Sequence, residues 1–107
     1  MANQSYIIQK YISPLLYYGR KFDIRMFLLV TLVNNKMRGY LYEEGYVRTC
    51  SRQFSFDNFS KYVHLTNDAI QIRCSDYGKY EEGNKISWKK FQSWLHEEGH
   101  SQFWQKF

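Results

Sequence analysis

The stretch Lys21-Phe22-Asp23-Ile24-Arg25-Met26-Phe27-Leu28-Leu29-Val30-Thr31-Leu32-Val33 decides how this chain is read. Side chains of a strand alternate between faces, so Phe22, Ile24, Met26, Leu28, Val30 and Leu32 make one unbroken apolar row. The opposite row opens with Lys21, Asp23 and Arg25 and turns apolar only from Phe27 onward. Such a strand belongs in a sheet with core on one side, its other side open at one end to solvent or a ligand. Period two sets Lys21, Asp23 and Arg25 in line, about 7 Å between neighbours. A cation–anion–cation row can hold a phosphate while the carboxylate orients a lysine or a ribose hydroxyl. The same row also suits a solvated strand face with weak ion pairs, which periodicity alone favours.

Outward from this stretch, Asn34-Asn35 fits a tight hairpin turn, because Asn tolerates left-handed backbone. Met37–Tyr42 returns as the partner strand, Glu43-Glu44-Gly45 turns again, and Tyr46–Cys50 makes a third strand, together an antiparallel meander. Arg48 then shares the charged face of the first strand. Upstream, Ser5–Ile12 reads as a strand stopped by Ser13-Pro14, and Leu15–Gly19 as a short loop in which Gly19 supplies positive φ. Downstream, Phe54–Val63 reads as loop with a helical turn, and Asp76–Asn84 as an ordered polar loop. Ser87–Glu98 reads as a helix capped by Ser87, with Trp88, Phe91, Trp94 and Leu95 on one face and Gly99 ending it. Phe103, Trp104 and Phe107 follow with nothing after them, which calls for docking back or for a neighbouring chain. The fold class expected is α+β, an antiparallel sheet meander with a C-terminal helix.

The 107 residues bound the chain to a single domain, 1–107, with 15 Lys and Arg against 10 Asp and Glu. The net charge of +5 is spread along the chain and its longest basic runs are the pairs Arg20-Lys21 and Lys89-Lys90. That balance favours acidic partners in general but makes nucleic acid a distant choice, since no patch or basic–aromatic signature is gathered. Ten Tyr, eight Phe and three Trp suit half-buried sheet faces and ligand-site walls. Cys50 and Cys74 show no metal spacing, and free thiols in a reducing compartment are favoured over a disulfide. The N-terminus has no visible signal peptide and the longest apolar run, Met26–Val30, is too short to span a bilayer, so a soluble intracellular protein is expected. No Walker or dinucleotide loop, catalytic triad order or HExxH occurs, and His64, His96 and His100 read as surface histidines. His64-Leu65-Thr66-Asn67, read alone, is an Asx-type turn.

Taken together, several segments resemble one family. Gln9-Lys10-Tyr11-Ile12, Pro14-Leu15-Leu16 and Gly19-Arg20-Lys21-Phe22-Asp23-Ile24-Arg25 resemble the signature of tubulin tyrosine ligase and the related tubulin polyglutamylases and glycylases. Val30-Thr31, Tyr42–Arg48, His64–Asn67 and Tyr77–Asn84 continue the likeness in order, over about residues 8–84. The resemblance implies part of an ATP-grasp domain, in which ATP activates a carboxylate and an amino acid amine then attacks it, on tubulin. It implies ATP and magnesium as cofactors, and tubulin or microtubules and an amino acid as partners. The location implied is cytoplasm and cytoskeleton, with cilium or axoneme beyond.

Carried over by position, Gln9, Lys10, Tyr11 and Ile12 are the expected adenine hinge, Lys21 a phosphate ligand and Asp23 a ribose contact. Arg25 and Arg48 are expected to face the acyl phosphate and the incoming amino acid, and Thr66 and Asn67 to close on the nucleotide. Two departures stand out. The position at which glutamate-adding relatives carry a lysine looks like Ile72, with Arg73 beside it as a candidate substitute. The family's acidic magnesium ligands are expected downstream of Phe107, so the chain alone is expected to be inactive. The alternative of another class is a non-catalytic microtubule-associated or ciliary structural protein that retains the fold.

Overall fold

The computed structural model describes residues 3–102. Its strands are β1 (Leu16–Tyr17), β2 (Arg20–Arg25), β3 (Leu28–Val33), β4 (Lys36–Leu41), β5 (Tyr46–Thr49) and β6 (Lys85–Ser87). Its helices are α1 (Lys61–His64), α2 (Asp68–Gln71) and α3 (Trp88–Glu97), with a 3-10 turn at Glu82–Asn84. One sheet has the order β1-β2-β5-β6, every neighbouring pair antiparallel, and β3 and β4 form a second sheet of two strands. The expected class, α+β with an antiparallel sheet and a C-terminal helix, is the one observed.

The strand expected over residues 21–33 is interrupted. β2 stops at Arg25 and β3 begins at Leu28, in a different sheet. The return arm is broken too, so β5 pairs with β2 rather than with β4, and the three-strand meander becomes one long hairpin with a break across it. Two residues, 26 and 27, separate β2 from β3, while four, 42–45, separate β4 from β5. The cause lies at the crossing. A Cβ on Gly45 would come within 2.4 Å of the Arg25 carbonyl oxygen and 2.6 Å of the Met26 sulfur, so the arms touch there backbone to backbone. The far end closes as expected, with Asn34 and Asn35 at φ 50° and 60°. Both central residues of that two-residue turn take positive φ, which matches the twist of the flanking strands.

Residues 5–12 carry a strand-like pattern but form no strand and are exposed. Alternation gives a segment two faces; it does not give it a partner for its backbone. Leu15–Gly19, expected as loop, instead contributes β1 and a tight turn, with Tyr18 and Gly19 at φ 44° and 77°. The helical turn expected within Phe54–Val63 is α1, and α2 and β6 were not anticipated.

α3 follows its sequence signals. The Ser87 hydroxyl accepts a hydrogen bond from the Lys90 amide at 3.3 Å, meeting one of the donors a helix start leaves open. At the other end Gly99, at φ 75°, lets its own amide reach the His96 carbonyl and the His100 amide reach that of Leu95, a double closure of the last turn. The helix lays Phe91, Trp94 and Leu95 onto the sheet, where Tyr17, Val47 and Ile86 complete the core and Phe22, Ile24 and Trp88 flank it. Phe22 meets Phe91 at 5.2 Å and Tyr17 meets Trp94 at 4.9 Å between ring centres, both edge-on, the arrangement ring quadrupoles prefer. The aromatics Phe103, Trp104 and Phe107 lie outside the described residues.

Arg20 shares the parity of Phe22 and Ile24 and therefore points inward, 2% exposed. Its guanidinium pairs with both carboxylate oxygens of Glu81, donates to the Cys50 carbonyl at 3.1 Å and lies 4.3 Å from the centre of the Tyr80 ring. Thr49 donates to the same Glu81 carboxylate, and the Asn84 amide donates to the Thr49 carbonyl and the Ser51 hydroxyl. Gln71 accepts from the Ser51 amide and hydroxyl and donates to the Leu65 and Tyr62 carbonyls. This buried polar layer ties the loop 76–84 and the two short helices to β5. A buried ion is tolerated only when paired and hydrogen-bonded in this way.

Candidate functional site

With Phe22, Ile24, Val47 and Ile86 turned to the core, the alternate residues of β2, β5 and β6 face away from it. Asp23 stands opposite Arg48, and Arg48 opposite Lys85, so three charged residues lie in one row across three strands. Arg25 stands opposite Tyr46 one step along. The predicted sharing of one face by Lys21, Asp23, Arg25 and Arg48 is what the register gives.

Asp23 and Arg48 form a two-pronged pair: Arg48 Nε donates to Oδ1 at 2.9 Å and Nη2 to Oδ2 at 2.7 Å. The Thr66 hydroxyl donates to the same Oδ2 at 2.5 Å, which pins the HLTN segment against β2. The Asp23 hydrogen bond raises the Arg48 pKa above its ordinary value, so the guanidinium stays charged. Each carboxylate oxygen can accept twice, so Oδ1 keeps one lone pair for a further donor. The Arg25 side chain is exposed and makes no hydrogen bond or ion pair among the described residues.

Lys21 turns to the segment before β1. Its Nζ donates to the Tyr11 hydroxyl at 2.9 Å and lies 4.9 Å from the centre of that ring. An open groove of about 450 Å³ runs here, lined by Ile7, Gln9, Lys10, Tyr11, Ile12 and Lys21. The hinge residues and the phosphate ligand expected from sequence thus border one space. A second hollow, about 390 Å³, is made wholly of the β3–β4 hairpin and holds none of the expected site residues.

Asn67 is exposed at the head of α2, where its carbonyl accepts from the Ile70 and Gln71 amides. Beside it Asp68 Oδ1 accepts from the Tyr77 hydroxyl at 3.0 Å and from Lys85 Nζ at 3.5 Å. Ile72 is exposed at the end of α2, and Arg73 uses its carbonyl, not its side chain, to meet the Tyr62 hydroxyl. Sequence reasoning did not single out Lys85. A three-residue strand shows no periodicity, and only pairing with β5 reveals that Lys85 joins the charged row.

The residues present fit the phosphates of a nucleotide. Lys21 spends one of its three hydrogens on Tyr11, Arg25 is uncommitted, and both lie on the strand face that borders the groove. They do not fit a magnesium ion. Among the described residues no three His, Cys, Asp or Glu side chains gather into a possible metal site, and Asp23 and Asp68 are each taken up by a cation.

Comparison with known proteins places the chain as a whole. The tubulin glycylase 3B of Drosophila melanogaster is 36% identical over 98 residues, 87% of this chain and 13% of that protein. Human tubulin monoglycylase TTLL3 is 35% identical over 109 residues, 97% of this chain and 14% of that protein. The probable tubulin polyglutamylase TTLL9 of Bos taurus is 36% identical over 94 residues, 86% of this chain and 20% of that protein. The chain therefore spans about an eighth to a fifth of the length of these curated relatives. The profile of the tubulin-tyrosine ligase family matches residues 1–107, end to end. On the strength of that match, and of relatives 35–36% identical over most of its length, the chain belongs to the tubulin-tyrosine ligase family.

Proposed function

We propose that this chain is the nucleotide-holding part of an ATP-dependent ligase that adds an amino acid to tubulin through an acyl phosphate. The observation that carries the reading is the groove in which Gln9, Lys10, Tyr11 and Ile12 meet Lys21, on the strand face that also carries Asp23 and Arg25. In this reading the backbone and side chains of residues 9–12 take the adenine, and the Lys21 ammonium takes a phosphate oxygen. Asp23 holds Arg48 in one orientation and offers its remaining Oδ1 lone pair to a ribose hydroxyl. Arg25 and Arg48 present positive charge where a carboxylate becomes an acyl phosphate, and prepositioned cations of that kind lower the barrier to phosphoryl transfer. Thr66 and Asn67 close the space from the other side. The magnesium ligands belong, in this reading, to sequence beyond this stretch. Tubulin as substrate, and a place on the cytoskeleton, come with the reading because the relatives are tubulin-modifying enzymes by name.

Calorimetric titration with ATP tests it. Lys21→Ala is expected to weaken binding roughly tenfold, the worth of one hydrogen bond from a charged group. Equal affinity in the two proteins removes Lys21 from the site.

A further inference from the structure

Residues 3–15 pair with no strand, and among the described residues their only hydrogen bonds to the rest of the chain are the two made by Tyr11. Those two bonds belong to a longer chain of contacts. His64 Nε2 lies 2.5 Å from the Asn58 carbonyl oxygen. A carbonyl can only accept, so Nε2 carries the hydrogen and, in the neutral ring, Nδ1 is the acceptor. The Tyr11 hydroxyl, 3.0 Å from Nδ1, donates to it. Having given its one hydrogen to His64, the Tyr11 oxygen meets Lys21 with lone pairs only, and Lys21 Nζ donates to it at 2.9 Å. One assignment of hydrogens satisfies all three contacts. The rings support it: Tyr11 packs edge-on against His64 at 5.5 Å and Phe56 at 6.0 Å, and Phe54 lies 5.4 Å from His64.

We propose that His64 is a positioning residue, which through Tyr11 fixes the Lys21 ammonium at the groove and ties residues 9–12 to the sheet. What the ammonium is held for rests on the nucleotide reading above; the hydrogen-bond chain does not.

The chain, labelled with ¹⁵N, shows the His64 tautomer directly in long-range imidazole spectra at pH 8, and its amide spectrum reports folding of each variant. The Nε2–H form is expected, with the Nδ1 resonance displaced when Tyr11→Phe removes its donor. Binding of ATP and of inorganic tripolyphosphate is then measured for His64→Phe, which keeps a ring and loses the acceptor. A loss of roughly five- to tenfold is expected, partly restored by His64→Gln, whose amide oxygen can accept. In Lys21→Ala the same His64 change should cost nothing further, since its effect runs through the ammonium. An Nδ1–H tautomer in the wild type overturns the proposal, as do losses that simply add in the double variant. If the wild type binds neither probe, the nucleotide reading falls, and the tautomer with its response to Tyr11→Phe decides the hydrogen-bond chain alone.

Discussion

The two halves of the broken hairpin differ in a way their sequences conceal. β2 and β5 contain two arginines, a lysine and an aspartate at described positions 20–25, plus Arg48, yet every one of these ten residues except Arg25 is at least half-buried. β3 and β4 are richer in Leu, Val and Met, yet all of their twelve residues but Thr31 are exposed. One face of that second ribbon is wholly apolar, with Leu28 opposite Leu41, Val30 opposite Gly39 and Leu32 opposite Met37. Periodicity therefore says which face of a strand can be buried. Whether it is buried depends on what else the chain brings to it. The first ribbon has α3 on one side and the Glu81 loop at its end; the second has neither.

The largest effect that sharpens this contrast is in the core. Phe91→Ala is expected to destabilise the chain by about 3–5 kcal/mol, whereas Leu32→Ala on the exposed ribbon should stay within about 0.5 kcal/mol. Urea denaturation of both variants measures the difference. Comparable losses would mean that the second ribbon is covered in solution. Glu81→Ala comes next, at about 3 kcal/mol, because it leaves the Arg20 charge buried and unpaired. A change near zero would show that water reaches Arg20.

The smallest effect is a pH dependence. Burial pushes the Cys50 thiol from its ordinary 9.0 up to about 11, and both buried cysteines are free. In the unfolded chain this thiol ionises near 9 while the folded chain keeps it protonated. Its contribution is fully present below pH 9 and is lost as pH rises towards 11, by at most about 2.7 kcal/mol. The Tyr17 and Tyr77 pKa values are raised as well, Tyr17 chiefly by burial, and they act in the same direction. The Cys50 share is therefore read as the difference between wild type and Cys50→Ala over pH 8–11. Equal slopes would exclude it.

Features whose cause is local were legible in sequence. Asn34-Asn35 determines its turn and Ser87 and Gly99 the two ends of α3, each through its own backbone and nearest neighbours. The charged face was legible too, because period two is local, but the place of Arg48 on it was reached through a meander that does not form: β5 lies beside β2 and not beside β4. The breaks were not. Nothing between Arg25 and Leu28 resembles a stop; the interruption comes from Gly45, twenty residues away in sequence. Residues 5–12 have a strand's composition, and only the absence of a pairing partner makes them otherwise. Arg20 did leave a signal. An arginine in step with Phe22 and Ile24 calls for a buried acid, and Glu81 is that acid. Tyr11 and His64 were both within quoted motifs, but 53 positions separate them, and their meeting is a property of the folded chain.

The crossing at Gly45 fixes more than direction. The outgoing arm skips two residues there and the returning arm four, so the site depends on where β5 resumes against β2. A slip of β5 by one residue would turn it over, sending Arg48 and Tyr46 into the hydrocarbon and Val47 and Thr49 out of it. Such a slip would erase the Asp23–Arg48 pairing without altering either residue.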